Sequence, residues 1–211
     1  LNSINLSIDP KSLESSFRRI ADELLNKSVL VSGFKIFRIC EIEFYYKDTL
    51  HNDSYTHGHK QQKTSGLWYQ HGSGLDITCG NENAFGGILI RAIQEIENQG
   101  KVIDDAYIYG PLNCLQALFS SFSNIEKHQV TFGFEKAIPN MLSQEEILSV
   151  PRTGLNKNLN LEMHSKMYRF FIFPKKQHDP KGEIIASLRG IIDDERLKEM
   201  FGWKTLPESG K

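Results

Sequence analysis

The sequence predicts an α+β fold. An amphipathic helix opens the chain, β-branched and aromatic runs follow it without regular alternation with helices, and helical patterns return only toward the end. A strict strand-helix-strand rhythm would read as a parallel sheet, whereas this irregular order favours a mixed sheet. With 211 residues and 39% hydrophobic content the chain can fill one sizeable core, so residues 1–211 read as a single domain.

Each element has its own signal. Asp9-Pro10 places a carboxylate at an N-cap and proline at the first helical position, and Leu13, Phe17, Ile20, Ala21, Leu24 and Leu25 then recur at helical spacing. From Val29 to Tyr46 the β-branched and aromatic content rises, and Gly33 divides the run into two strands. His51 to Gly74 is polar and glycine-punctuated, which predicts a long loop with a short strand at Leu67 to Tyr69. Strands are expected at Leu75 to Thr78 and Gly87 to Ile93, separated by a turn at Gly80-Asn81-Glu82-Asn83. Gly110-Pro111 opens a helix through Leu118, and Ser143 with Glu146 makes a capping box for another. Lys166 to Phe173 reads as a strand, and Glu183 to Arg189 and Asp194 to Phe201 as closing helices.

Charge and cysteine usage bound the function classes. Lys and Arg total 25 against 26 Asp and Glu, a formal net charge of −1, so no global field draws the protein to nucleic acid or to a membrane. Polyanion binding needs a local patch, and Arg152, Lys157, Lys166, Arg169, Lys175 and Lys176 offer one against the single acid Glu162; a solvated basic face reads equally well. Cys40, Cys79 and Cys114 are widely spaced and odd in number, which argues for a reducing compartment. Leu1 to Asp9 has no basic segment leading an apolar run, and no stretch of ~18 apolar residues occurs. The expectation is a cytoplasmic monomer with no membrane partner, no cofactor and no resident metal.

The segment from Arg38 to Arg91 holds the candidate chemistry. In the strand Arg38 to Tyr46 side chains alternate faces, so Glu41, Glu43 and Tyr45 share one face and Cys40, Ile42 and Phe44 the other. Same-face neighbours lie ~6.5 Å apart. If the face is enclosed, one carboxylate raises the other's proton affinity and the pair can serve as a general base; if open, it is a solvated face with two glutamates. His57-Gly58-His59 invites a metal reading with Glu43, although no further ligand at zinc spacing stands nearby. Trp68, Tyr69, Tyr45, Tyr46 and Tyr55 suit either core packing or the sandwiching of a planar base. Asp76, an acid in an apolar strand, reads as a buried hydrogen-bonded carboxylate or as a site residue.

Several of these motifs together resemble the alkyladenine (3-methyladenine) DNA glycosylase family. That family's R-I-V-E-T-E-A-Y strand is matched by Arg38-Ile39-Cys40-Glu41-Ile42-Glu43-Phe44-Tyr45, and its D-x-A-x-H segment by Asp53-Ser54-Tyr55-Thr56-His57. Its L-L-R-A strand is matched by Leu89-Ile90-Arg91-Ala92, and its helix opening G-P-G-x-L-x-Q-A-L is echoed from Gly110 to Leu118, with Leu112 in place of the second glycine. P-R-I-G-I and P-W-R-F-Y are similar to Pro151-Arg152-Thr153-Gly154-Leu155 and Met167-Tyr168-Arg169-Phe170-Phe171. The pattern is more similar still to a set of uncharacterised proteins distantly related to the glycosylases.

The resemblance implies a mainly antiparallel central sheet, similar to the C-terminal domain of methionyl-tRNA formyltransferase. It also implies an N-glycosylase that hydrolyses the bond to a modified purine, as in base excision repair. Glu43 would be the catalytic base that deprotonates the attacking water, and Tyr45 and His57 would sandwich the flipped base. Arg91 would brace the water or a phosphate. The residues themselves, apart from the resemblance, add Glu41, Trp68, Tyr69 and Asp76 to the expected substrate-binding set and Arg152, Lys157 and Arg169 as expected nucleic-acid contacts. The family's basic T-P-R-N stretch and its tyrosine-tipped hairpin, which wedges into the duplex, have no counterpart here. That departure points away from duplex DNA and keeps a second expectation open: a non-catalytic module that uses the same pocket to bind a nucleobase, a nucleic acid or a protein.

Overall fold

The computed structural model describes residues 4–97, 102–120, 122 and 131–206. Asp9 caps the chain's first turn as its residue type dictates, since its carboxylate accepts from the Lys11 N–H at 3.0 Å and from the Ser12 hydroxyl at 2.8 Å. Helix α1 (Leu13–Asn26) follows and buries Phe17, Ile20, Ala21, Leu24 and Leu25 on one face. At its foot Gly33, at φ 62°, turns strand β1 (Ser28–Ser32) back into β2 (Lys35–Lys47).

The described strands belong to one sheet. It is completed by β3 (Trp68–His71), β4 (Gly74–Thr78), β5 (Phe85–Ile96), β6 (Val102–Tyr109), β7 (Phe132–Lys136), β8 (Leu148–Val150) and β9 (Arg169–Phe171). The main path runs β3-β4-β5-β2-β1-β7, with β6 beside β5, and with β9 between β2 and β8. Every pairing between these strands is antiparallel, in agreement with the mainly antiparallel sheet expected, and the parallel pairs that a mixed sheet would add do not occur among them.

Strands β2 and β5 are long enough to change partners along their length. β2 pairs with β1 over residues 35–37 and with β9 over residues 41–43, while β5 pairs with β4 and then with β6. The switch coincides with two bulges in the β2-β5 ladder. Ile39 faces Ile93, Glu41 faces Ala92 and Ile42 faces Ile90, so Cys40 is the extra residue on β2 and Arg91 the extra residue on β5. A bulge bends its strand and re-aims its side chain, and here it turns Arg91 toward the acids of β2.

Phe17 of α1 stacks on Phe44 with ring centroids 4.2 Å apart, so the helix covers the Cys40-Ile42-Phe44 face and leaves the Glu41-Glu43-Tyr45 face to the other side of the sheet. A second apolar cluster forms where α4 (Lys181–Leu188) and α5 (Asp194–Phe201) pack Ile184, Ile185, Leu188, Leu197 and Phe201 on Val150 and Phe171. Short helices α2 (Pro111–Phe119) and α3 (Leu161–Ser165) complete the fold. The capping box at Ser143 and Glu146 opens no helix. The Ser143 hydroxyl instead donates to Glu145 and accepts from Arg38, which fixes the approach to β8. Strands β6, β7 and β8 have no counterpart in the sequence expectations, and β9 is shorter than the Lys166 to Phe173 run predicted for it. Among the described residues no helix is long and apolar enough to cross a membrane.

Candidate functional site

Glu41 and Glu43 are both fully buried, which decides between the enclosed and the solvated reading of their strand face. Such burial is sustainable only with partners, and each acid has them. Glu41 Oε1 accepts from Arg91 Nε at 2.9 Å and Arg169 Nε at 2.8 Å, and its Oε2 pairs with His178 Nδ1 at 2.5 Å. Burial alone would raise the Glu41 carboxyl, but the His178 bond and the Arg169 and Arg91 charges outweigh it and hold the group at about 2. Glu41 is therefore an anion at neutral pH that positions Arg91, and it does not line the cavity as the substrate-binding residue expected.

Glu43 is held differently. Its Oε1 accepts the Thr153 backbone N–H at 3.0 Å, and its Oε2 accepts the Tyr45 hydroxyl at 2.8 Å and Arg91 Nη1 at 3.4 Å. A carboxylate oxygen has two acceptor sites, and Oε1 fills one of them among the described residues. Tyr45, Arg91 and Thr153, the three residues that grip Glu43, line a cavity of about 290 Å³ together with Tyr55, His57, Gln62, His71 and Asp76. That volume lies near the lower end for small-ligand sites.

Buried arginine builds the aromatic wall of this cavity. Arg152 is 2% exposed and clamps Asp53 through Nη1 at 2.6 Å and Nη2 at 3.1 Å. Its guanidinium carbon lies 4.7 Å from the Tyr45 ring centroid and 5.4 Å from that of Tyr55. Asp53 also accepts the backbone N–H groups of Tyr46 and Tyr55 and the Thr56 hydroxyl, so one carboxylate shapes the loop that delivers His57. Burial lowers the His57 proton affinity, and the neighbouring His71 adds to that; their ring centroids are 4.4 Å apart.

The expected site residues divide. Tyr45, His57, Arg91 and Asp76 line the cavity, and Glu43, itself fully buried, sits behind that lining in the grip of Tyr45, Arg91 and Thr153. Trp68 does not: it packs against Phe132 and Phe134 on the far side of β3, because neighbours on a strand point to opposite faces. Tyr69 lies on the cavity's side of β3 but stacks on His59, centroids 4.9 Å apart, behind the wall formed by His57 and His71. Among the described residues no three His, Cys, Asp or Glu side chains gather as metal ligands. Arg152 and Arg169 are interior residues bound to Asp53 and Glu41, which corrects their expected place on a nucleic-acid-binding surface; Lys157 alone of the three is exposed. Sequence reasoning missed Gln62, Thr153 and His178. Thr153 contributes through its backbone, which no residue-type signal reveals, and His178 reaches Glu41 across 137 positions of chain.

The fold and site define an antiparallel α+β protein with a cavity lined by aromatic rings and backed by a buried carboxylate. No family model matches the chain. It is similar to the uncharacterised protein L759 of Acanthamoeba polyphaga mimivirus, 29% identical over an alignment of 195 residues that takes in 76% of this chain and 87% of the viral one.

Proposed function

We propose that the cavity binds a purine-type base and that Glu43 serves as general base for hydrolysis of the base's N-glycosidic bond. The observation that carries this reading is Glu43 itself, a buried carboxylate whose Oε1 has one hydrogen-bond partner among the described residues, gripped by three residues that line a ring-walled cavity. The order of motifs shared with the glycosylases supports it, and with it a fold similar to the formyltransferase C-terminal domain. In the reaction a water oxygen bonds to the anomeric carbon as the bond to the base breaks and the base departs with the bonding electron pair. The water's proton passes to Glu43, and the carboxylate also steadies the oxocarbenium-like sugar. Tyr45 and His57 hold the base between them, and Arg91, anchored by Glu41, keeps Glu43 in place.

Burial of Arg152 and Arg169 removes two of the six basic groups from the supposed surface patch, and Ser73, not a tyrosine, stands by the cavity at the turn between β3 and β4. Both features favour a base in a single strand or a nucleotide over one in a duplex. They also favour, as the second reading, a binding module without turnover. Purified protein incubated with alkylated, deaminated and etheno-modified oligonucleotides and nucleotides is expected to release free base, and release should vanish in Glu43→Gln while binding persists. Tight binding with no release from any member of the panel would establish the second reading.

A further inference from the structure

Two side chains at the cavity are each only half used. Gln62 is 1% exposed; its Oε1 accepts the His59 N–H at 3.2 Å in the capping box of the turn Lys60–Lys63, and its Nε2 has no hydrogen-bond partner among the described residues. Asp76 is 2% exposed; its Oδ1 pairs with His71 Nε2 at 3.0 Å, and its Oδ2 likewise has no partner among the described residues. The Ser73 N–H donates to His71 Nδ1 at 3.2 Å, so Nε2 carries the ring proton and points it at Asp76. The carboxylate is thereby fixed with one oxygen spent and one left over.

The leftover atoms flank one position of β5. A Cβ on Gly87 would stand 2.6 Å from Asp76 Oδ2 and 2.9 Å from Gln62 Nε2, so a glycine is needed on β5 for the two groups to pack there. Both residues line the cavity that Tyr45 and His57 wall. A donor and an acceptor without partners among the described residues select a ligand that supplies both, and a site built around them rejects ligands that cannot.

We infer that Gln62 and Asp76 form an edge reader, with Asp76 Oδ2 accepting an N–H and Gln62 Nε2 donating to an adjacent lone pair of the bound heterocycle. The inference rests on the reading of the cavity as a base pocket. Two edges present that pair of groups: the N–H and carbonyl of a lactam such as hypoxanthine, and the amino group and neighbouring ring nitrogen of adenine. Unsubstituted purine presents lone pairs only.

The test is calorimetric titration of the full chain with 9-methylhypoxanthine, 9-methyladenine and 9-methylpurine, in which the methyl group stands where the sugar would attach. One or both of the first two should bind about 10- to 100-fold more tightly than 9-methylpurine, and the preference between them identifies the edge. In Asp76→Asn the amide oxygen must serve His71, which leaves an NH₂ toward the cavity, so the advantage over 9-methylpurine should fall below about threefold while a thermal melt reports a folded protein. Equal binding of all three ligands overturns the edge reader and leaves the base pocket standing. Binding of none overturns both. Discrimination that persists without Glu43-dependent base release retains the edge reader and removes the hydrolysis.

Discussion

The Tyr45 hydroxyl donates to Glu43 Oε2 across 2.8 Å, which ties a ring of the cavity wall to the acid beneath it. Burial, followed by the Glu43 charge, raises the proton affinity of Tyr45, so the phenol remains a donor at any working pH. Removing that hydroxyl while keeping the ring separates its two duties. In Tyr45→Phe the affinity for a base should change by less than about threefold, while the rate of base release falls about tenfold and stability drops by about 1–3 kcal/mol for the lost bond to a buried carboxylate. Separate measurement of kcat and KM with a urea melt checks this; a change confined to KM would assign Tyr45 to binding alone.

Arg91 neutralises both buried acids of the β2 face through Nε and Nη1. Arg91→Met leaves Glu43 without an ionic partner and Glu41 with one fewer, and removing one member of a buried ion pair costs about 3–5 kcal/mol. For a domain of this size that corresponds to a fall in Tm on the order of 10 °C. A thermal melt within ~2 °C of the wild type, a shift worth only a few tenths of a kcal/mol to about one, would contradict the charge assignment.

Glu41 predicts how the protein fails in acid. Its folded-state value of about 2 lies below the ordinary 4.5, so the stabilisation is complete above 4.5 and is lost as pH falls from there toward 2. The loss over that window is roughly 3 kcal/mol. Urea midpoints measured between about pH 5 and about pH 2 should fall steeply in the wild type. In Glu41→Gln the protein should start less stable and show a shallower decline.

How much of this is legible in the sequence depends on the range of the interaction. Strand alternation alone places Glu41, Glu43 and Tyr45 on one face, and the Asp9 cap and the α5 helix follow from local residue type. The same alternation sends Trp68 and Tyr69 to opposite faces of β3, so the two could never have shared one pocket wall. Two bulges aim Arg91 at the acids, and no periodicity announces a bulge. A run of basic residues reports composition only, and Arg152 and Arg169 turn inward because Asp53 and Glu41, 99 and 128 positions away, need them. Gln62 sits in a stretch that reads as loop, where a polar side chain gives no sign that the fold will bury it.

His57 gives a pH dependence on ligand binding. Its proton affinity is lowered from the ordinary 6.5, so the ring is neutral through the neutral range and gains charge only on the acid side of 6.5. Affinity for a neutral base should therefore be flat from about pH 8 down to about 6.5 and weaken below it. A His57→Phe variant should keep the stacking and lose that acid limb; an unchanged limb would assign it to another group.

The most direct test of the account is the single-turnover rate of base release by wild type and Glu43→Gln, with substrate binding measured on the same samples. With Glu43 as the general base, binding should be equal and the release rate at least about 100-fold lower in the variant, the usual scale of general-base catalysis. Release by Glu43→Gln at the wild-type rate would contradict it.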